Sequence, residues 1–134
     1  MVEKYHPAGL QDVIPYLIVE NAGKLIEFIA IVFDADILEC SDVKNKKIAN
    51  AILKVGDSIL EVADATENNA ARPCSLHVYV PDTDGVYLRA LDAGATPLFA
   101  PTNRDFGERL GGVQDPFGNQ WYIATLTNGN RPAN

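Results

Sequence analysis

Cysteine, histidine and tryptophan are scarce in this 134-residue chain, at two, two and one residues. Cys40 and Cys74 form no Cys-x-x-Cys pair, and neither His6 nor His77 stands at zinc-finger spacing, so neither a disulfide framework nor a structural zinc site is signalled. Both thiols are expected to be reduced and buried. Long apolar runs are missing too: the longest, Leu25 to Phe33, is broken by Glu27 and falls well short of the roughly 18 to 20 residues a membrane helix needs. No membrane partner is expected. Positive charge is in deficit, with 11 Lys and Arg against 18 Asp and Glu, a net charge of −7 and a pI near 4.6. A surface of that sign is unsuited to nucleic acid, which is held by cations that displace counterions from phosphates.

Several catalytic signatures are absent as well. Gly111-Gly112 lies outside any Gly-x-Gly-x-x-Gly or phosphate loop, and no Gly-x-Ser-x-Gly elbow or Cys/His nucleophile spacing occurs. Nucleotide binding and triad hydrolysis therefore have no support. The opening Met1-Val2-Glu3-Lys4-Tyr5-His6-Pro7 lacks the charged-then-apolar build of a secretory leader, which makes the cytoplasm the expected location.

What is present is a globular composition, 47% hydrophobic and 22% charged, at a length that holds one domain. Residues Asp12 to Val19 read as a strand, followed by a helix from the N-cap Asn21 to Phe33 whose stripe is Leu25, Phe28, Ile29 and Val32. Ala30, Ile31 and Phe33 fall off that stripe and give a second apolar surface, which points to a homodimer. Strands are expected at Ile37 to Cys40, Ile48 to Val55 and Ser58 to Ala63, with a polar turn from Asp42 to Lys47 and a hairpin turn at Gly56-Asp57. A polar link from Ala65 to Pro73 leads to a strand at Ser75 to Val80. A helix follows from the cap Asp82 to Ala93, with Val86, Leu88, Ala90 and Leu91 as its apolar contacts and Gly94 as its stop. Strands at Thr96 to Ala100, Glu108 to Asp115 and Asn119 to Leu126 complete the set, the last two joined by the turn Asp115 to Asn119.

The order βαβββ thus occurs twice, over residues 12–66 and 74–127, and Val19-Glu20 before one helix is echoed by Val80-Pro81 before the other, 61 positions on. Each module is too small to be stable alone. The expected fold is α+β: one domain in which two βαβββ modules form a curved eight-stranded sheet around a cavity, helices outside, with a loose tail at 128–134.

This duplicated module, with Asp115-Pro116-Phe117-Gly118-Asn119-Gln120-Trp121 as signature, resembles the glyoxalase/bleomycin-resistance/dioxygenase superfamily, the vicinal oxygen chelate fold. Pro15 to Val19, Val55 to Ser58 and Phe106 to Gly118 look like its PhnB-like branch. The resemblance implies a small-molecule ligand. In metal-dependent members it also implies four chelating positions, which fall here on Ile14, Glu61, Ser75 and Tyr122. Only Glu61 is an ordinary ligand, so the expected cofactor is none; the alternative is a divalent ion such as Zn, Ni, Mn or Fe held by Glu61 and His77.

Strand alternation places Ser75, His77 and Tyr79 on one face. Tyr16, Tyr79 and Tyr122 would line the cavity as amphipathic aromatic walls, whereas Trp121 reads as core. His77 reads as a hydrogen-bonded strand histidine near the core, as a ligand-contacting group or as a general base, and Glu61 as a solvated or paired carboxylate or an acid in the cavity. Arg109 reads as a clamp for a carboxylate or as the partner of a local acid such as Asp105. Two functions follow. One is a metal-independent protein that binds an aromatic or cationic compound through Tyr16, Glu61, Ser75, His77, Tyr79, Arg109 and Tyr122. The other is a lyase/isomerase or dioxygenase-type enzyme using Glu61 and His77.

Overall fold

A computed structural model describes residues 5–42 and 47–127. Residues 43–46 of the expected polar turn, and the expected tail at 128–134, lie outside the described residues. The elements run β1 (Tyr16–Val19), α1 (Ala22–Phe33), β2 (Asp36–Asp42), β3 (Ile48–Val55), β4 (Ser58–Asp64), β5 (Ser75–Tyr79), α2 (Thr83–Asp92), β6 (Thr96–Arg104), β7 (Glu108–Gln114) and β8 (Gln120–Leu126). The two helices and eight strands are those expected, and the strands form two four-stranded sheets. By packing, the described residues divide into two units: those up to Ala30 with Asp34–Arg72, and Ile31–Phe33 with those from Pro73 on.

In the first unit the strand order is β1-β4-β3-β2. Strands β1 and β4 run parallel and the other pairs antiparallel, with Tyr16 opposite Glu61 and Val55 opposite Ser58 at the hairpin. The core comprises Leu17, Val19, Leu25, Ile29, Leu53 and Val62, each at most 2% exposed. Full burial of one such side chain contributes about 1.5–3 kcal/mol. Strand β1 begins at Tyr16 rather than Asp12, because Pro15 has no amide hydrogen and joins the ladder only through its carbonyl, which accepts from Glu61 N at 2.9 Å.

The second unit repeats this order as β5-β8-β7-β6, again with one parallel pair, β5 with β8. Strand β6 continues past the expected end at Ala100 to Arg104. Its position at the sheet edge explains this, since an edge strand tolerates Pro97 and Pro101, and its register slips around Phe99.

Both helices start as the sequence indicates. Asn21 accepts from Lys24 N at 3.3 Å and Asp82 from Gly85 N at 3.2 Å, the two caps standing 61 positions apart. A second equivalence ties each helix to its sheet. Asp64 Oδ1 accepts from Ala22 N at 2.9 Å, and Thr125 Oγ1 accepts from Thr83 N at 3.0 Å, both partners again offset by 61. Asp64 Oδ2 also accepts from Ile48 N at 2.7 Å, while Thr83 Oγ1 donates to the carbonyl of Arg109, the residue 61 positions after Ile48, at 3.0 Å. Different chemistry therefore satisfies the same orphan N–H in each copy.

Four side-chain expectations are corrected. Phe33 does not extend a free apolar face: it is 7% exposed and lies on the Trp121 ring, centroids 4.7 Å apart, which leaves Ile31 exposed. On α2, Leu88 is exposed and Tyr87 takes the buried place, because the buried stripe runs through Thr83, Val86, Tyr87 and Ala90. Cys40 is exposed on the edge strand β2, and Cys74 is half-buried just before β5.

Candidate functional site

The turn Asp115 to Asn119 sets the register of the second sheet. Asp115, 2% exposed, accepts four hydrogen bonds: at Oδ1 from Phe117 N (2.9 Å) and Asn119 N (3.0 Å), and at Oδ2 from the Asn119 amide (3.0 Å) and the Trp121 indole (2.8 Å). Asn119 Oδ1 in turn accepts from Cys74 N at 3.0 Å, which fixes the start of β5. Gly118 takes φ 93, a conformation open to glycine at little cost. The signature motif is thus a structural clasp, and it aligns Gln114 with Gln120, Gly112 with Tyr122, Leu110 with Ala124 and Glu108 with Leu126. Burial next to the Asp115 charge pushes the Cys74 thiol above its ordinary pKa.

Across β5 and β8 the register continues with Ser75 opposite Gln120, His77 opposite Tyr122 and Tyr79 opposite Ala124. One sheet face therefore carries Ser75, His77, Tyr79, Tyr122 and Glu108. Glu108 is its centre. It is 1% exposed, accepts a hydrogen bond at Oε2 from the Tyr79 hydroxyl, and lies with Oε1 3.5 Å from His77 Nε2. The His77 side chain is 43% exposed and meets the Tyr79 ring edge-on at 4.8 Å. Fully buried Ala124, between Tyr79 and Leu110 in the ladder, leaves room for the tyrosine to cross β8 toward Glu108.

Beside this cluster lies an aromatic platform. Phe99 and Tyr122 have centroids 6.1 Å apart at 31°, and the Arg104 guanidinium lies 5.2 Å over the Phe99 ring. Gly112 makes the platform possible, because a Cβ there would come within 2.6 Å of Phe99 Cε2. The Tyr122 hydroxyl donates to Gln120 at 2.9 Å. An open cleft of about 660 Å³, lined by Tyr79, Val80, Pro81, Thr125 and Leu126, adjoins Tyr79.

Three expected site residues are not on this sheet face. Tyr16 is exposed at the start of β1 opposite Glu61, and Glu61 accepts from the Asn50 amide at 2.8 Å, so both belong to the first unit. Within the second unit the carboxylate that meets His77 is Glu108. Arg109 projects from the opposite face of β7 to Glu108. It grips Asp84 through two hydrogen bonds of 2.5 and 2.9 Å and Asn103 through a third of 3.2 Å, so it is the partner of a local acid and not an open clamp. The paired Arg109 guanidinium holds the Asp84 carboxyl below its ordinary pKa, and Asp84 raises that of Arg109.

The four chelating positions do not fit a metal ion. Ile14 has no donor, Glu61 is engaged by Asn50, Ser75 is a neutral hydroxyl and the Tyr122 hydroxyl is bonded to Gln120. Among the described residues, no three His, Cys, Asp or Glu side chains gather into a possible metal site.

The module order and the parallel pairing of the first and last strands in each unit define a duplicated βαβββ fold, and solved structures share it. The PhnB protein of Bacillus cereus superposes with a TM-score of 0.71 at 19% identity, over 87% of this chain and 100% of that one. A glyoxalase/bleomycin resistance protein/dioxygenase family enzyme of Burkholderia phytofirmans gives 0.68 at 17% identity, over 83% and 94%. In sequence, the uncharacterized protein Mb0911c of Mycobacterium bovis is 30% identical over 120 residues, 81% of this chain and 79% of that protein. No family model matches the chain. The chain shares the fold of these solved structures, and by its sequence it belongs to the family of Mb0911c. No helix among the described residues is long and apolar enough to cross a membrane.

Proposed function

We propose that this protein binds a planar aromatic small molecule, without a metal ion, on the second-sheet face. The observation that carries this reading is the pairing of a half-exposed aromatic platform, Phe99 with Tyr122, with polar groups organised around one buried carboxylate, Glu108. Apolar area supplies affinity in such sites and a few fixed polar groups supply orientation. The net charge of −7 favours a cationic ligand over a matched anion, and the effect weakens with salt. The reading includes the PhnB-like branch, supported by the Bacillus cereus superposition. It also includes a homodimer, supported by Ile31 and Leu88, each 59% exposed on a helix.

The test is calorimetric titration of matched cationic, neutral and anionic aromatic compounds into wild type and Tyr122→Ala. Binding that Tyr122→Ala weakens about tenfold, a loss of about 1.4 kcal/mol, supports the reading. Equal affinity in both proteins overturns the assignment of this face.

A further inference from the structure

We infer that Tyr79, Glu108 and His77 form a proton-transfer site, with His77 Nδ1 as the base and Glu108 as the residue that fixes which nitrogen is free. The substrate's position rests on the binding reading above; the state of the imidazole does not. A neutral imidazole carries one proton, and a nitrogen facing a carboxylate is stabilised as the donor, since its lone pair would be repelled there. The nitrogen facing Glu108 is Nε2, at 3.5 Å. That leaves Nδ1 as the acceptor, and it has no hydrogen-bond partner among the described residues. Catalytic contacts are often long before substrate binds and tighten in its complex.

The surroundings suit the role. Glu108 is 1% exposed and held by the Tyr79 hydroxyl, while the edge-on Tyr79 ring restrains rotation of the imidazole. A proton arriving at Nδ1 makes an imidazolium whose charge faces the carboxylate, the same division of labour by which an acid orients and stabilises histidine in catalytic triads. The substrate class is a planar, electron-poor aromatic with an acidic C–H or O–H, laid on the Phe99 and Tyr122 rings. Arg104, over Phe99, supplies positive charge for the anion that proton loss leaves.

5-Nitrobenzisoxazole is a probe of that class. Its ring C–H proton passes to Nδ1, the C–H electron pair enters a new nitrile bond, and the N–O bond breaks with its pair leaving on the phenolate oxygen. Nothing is oxidised or reduced overall. Two measurements on the full chain test the proposal. Long-range nitrogen–proton NMR at mildly alkaline pH reads the tautomer of the two histidines, and Nε2–H is expected for His77. Nδ1–H there overturns the proposal.

Nitrophenolate release is then compared between wild type and variants, with probe binding measured separately by calorimetry. His77→Ala is expected to lower kcat about 100-fold or more. Glu108→Gln is expected to lower kcat about tenfold with KM unchanged, a split that general loosening of the sheet would not give. Tyr79→Phe, which keeps the ring and removes only the hydroxyl, serves if Glu108→Gln does not fold, and is expected to lower kcat at unchanged KM. A bound probe that turns over no faster than with His77→Ala overturns the base. A probe that does not bind overturns the substrate's position, and the tautomer alone then decides the orientation of His77.

Discussion

The Trp121 indole donates to Asp115 Oδ2 at 2.8 Å, and this one bond links the Asp115 turn to the largest fully buried side chain among the described residues. Three further donors converge on the same carboxylate. Asp115→Asn replaces one acceptor oxygen by a donor facing other donors, so it is expected to cost about 3 kcal/mol or more of stability. Urea unfolding followed by Trp121 fluorescence checks this, and a loss below about 1 kcal/mol would contradict the clasp.

Thr125 and Asp64 perform the same docking in the two units, and Thr125→Val tests it by shape-conserving removal of the acceptor for Thr83 N. The expected loss is about 1–2 kcal/mol, the cost of a lost cap or an unsatisfied buried donor. Amide hydrogen exchange should localise the change to the first turn of α2, and unchanged protection there would refute the assignment.

The Asp84–Arg109 pair predicts a pH dependence of definite sign. Because Asp84 titrates below its ordinary value when folded, its contribution is present above the usual aspartate range and is lost as pH falls through the lowered value. Stabilities of wild type and Asp84→Asn should therefore differ at neutral pH and converge in acid. A gap that widens on acidification would have the wrong sign.

The two cysteines should separate by reactivity. Burial and the Asp115 charge raise the Cys74 pKa and deplete its thiolate, whereas Cys40 is exposed on β2. Iodoacetamide labelling followed by mass spectrometry is expected to modify Cys40 first. Faster labelling of Cys74 would contradict its environment.

Much of the fold is legible in residue order, and the site much less so. Asn21, Asp82 and the Asp115 turn act through bonds to neighbours within a few residues, so their chemistry is local and readable. Glu108 acts on residues 29 and 31 positions away, Tyr79 and His77, through a register that alternation along β5 alone does not reveal. A signal was nonetheless there. Counting outward from the turn pairs Glu108 with Leu126 and Gly112 with Tyr122, which puts Glu108 on the His77 face and Arg109 on the other. Phe99 is less legible, since the register slips on either side of it break the alternation.

Selective NMR of the histidine and tyrosine rings, during titration with a set of planar aromatic compounds, tests the binding account most directly. The account predicts that a bound compound shifts His77, Tyr79 and Tyr122 together and leaves Tyr5 and His6 unmoved, and that Tyr122→Ala weakens the response. Shifts confined to Tyr5 and His6, or no response to any compound in the set, would contradict it.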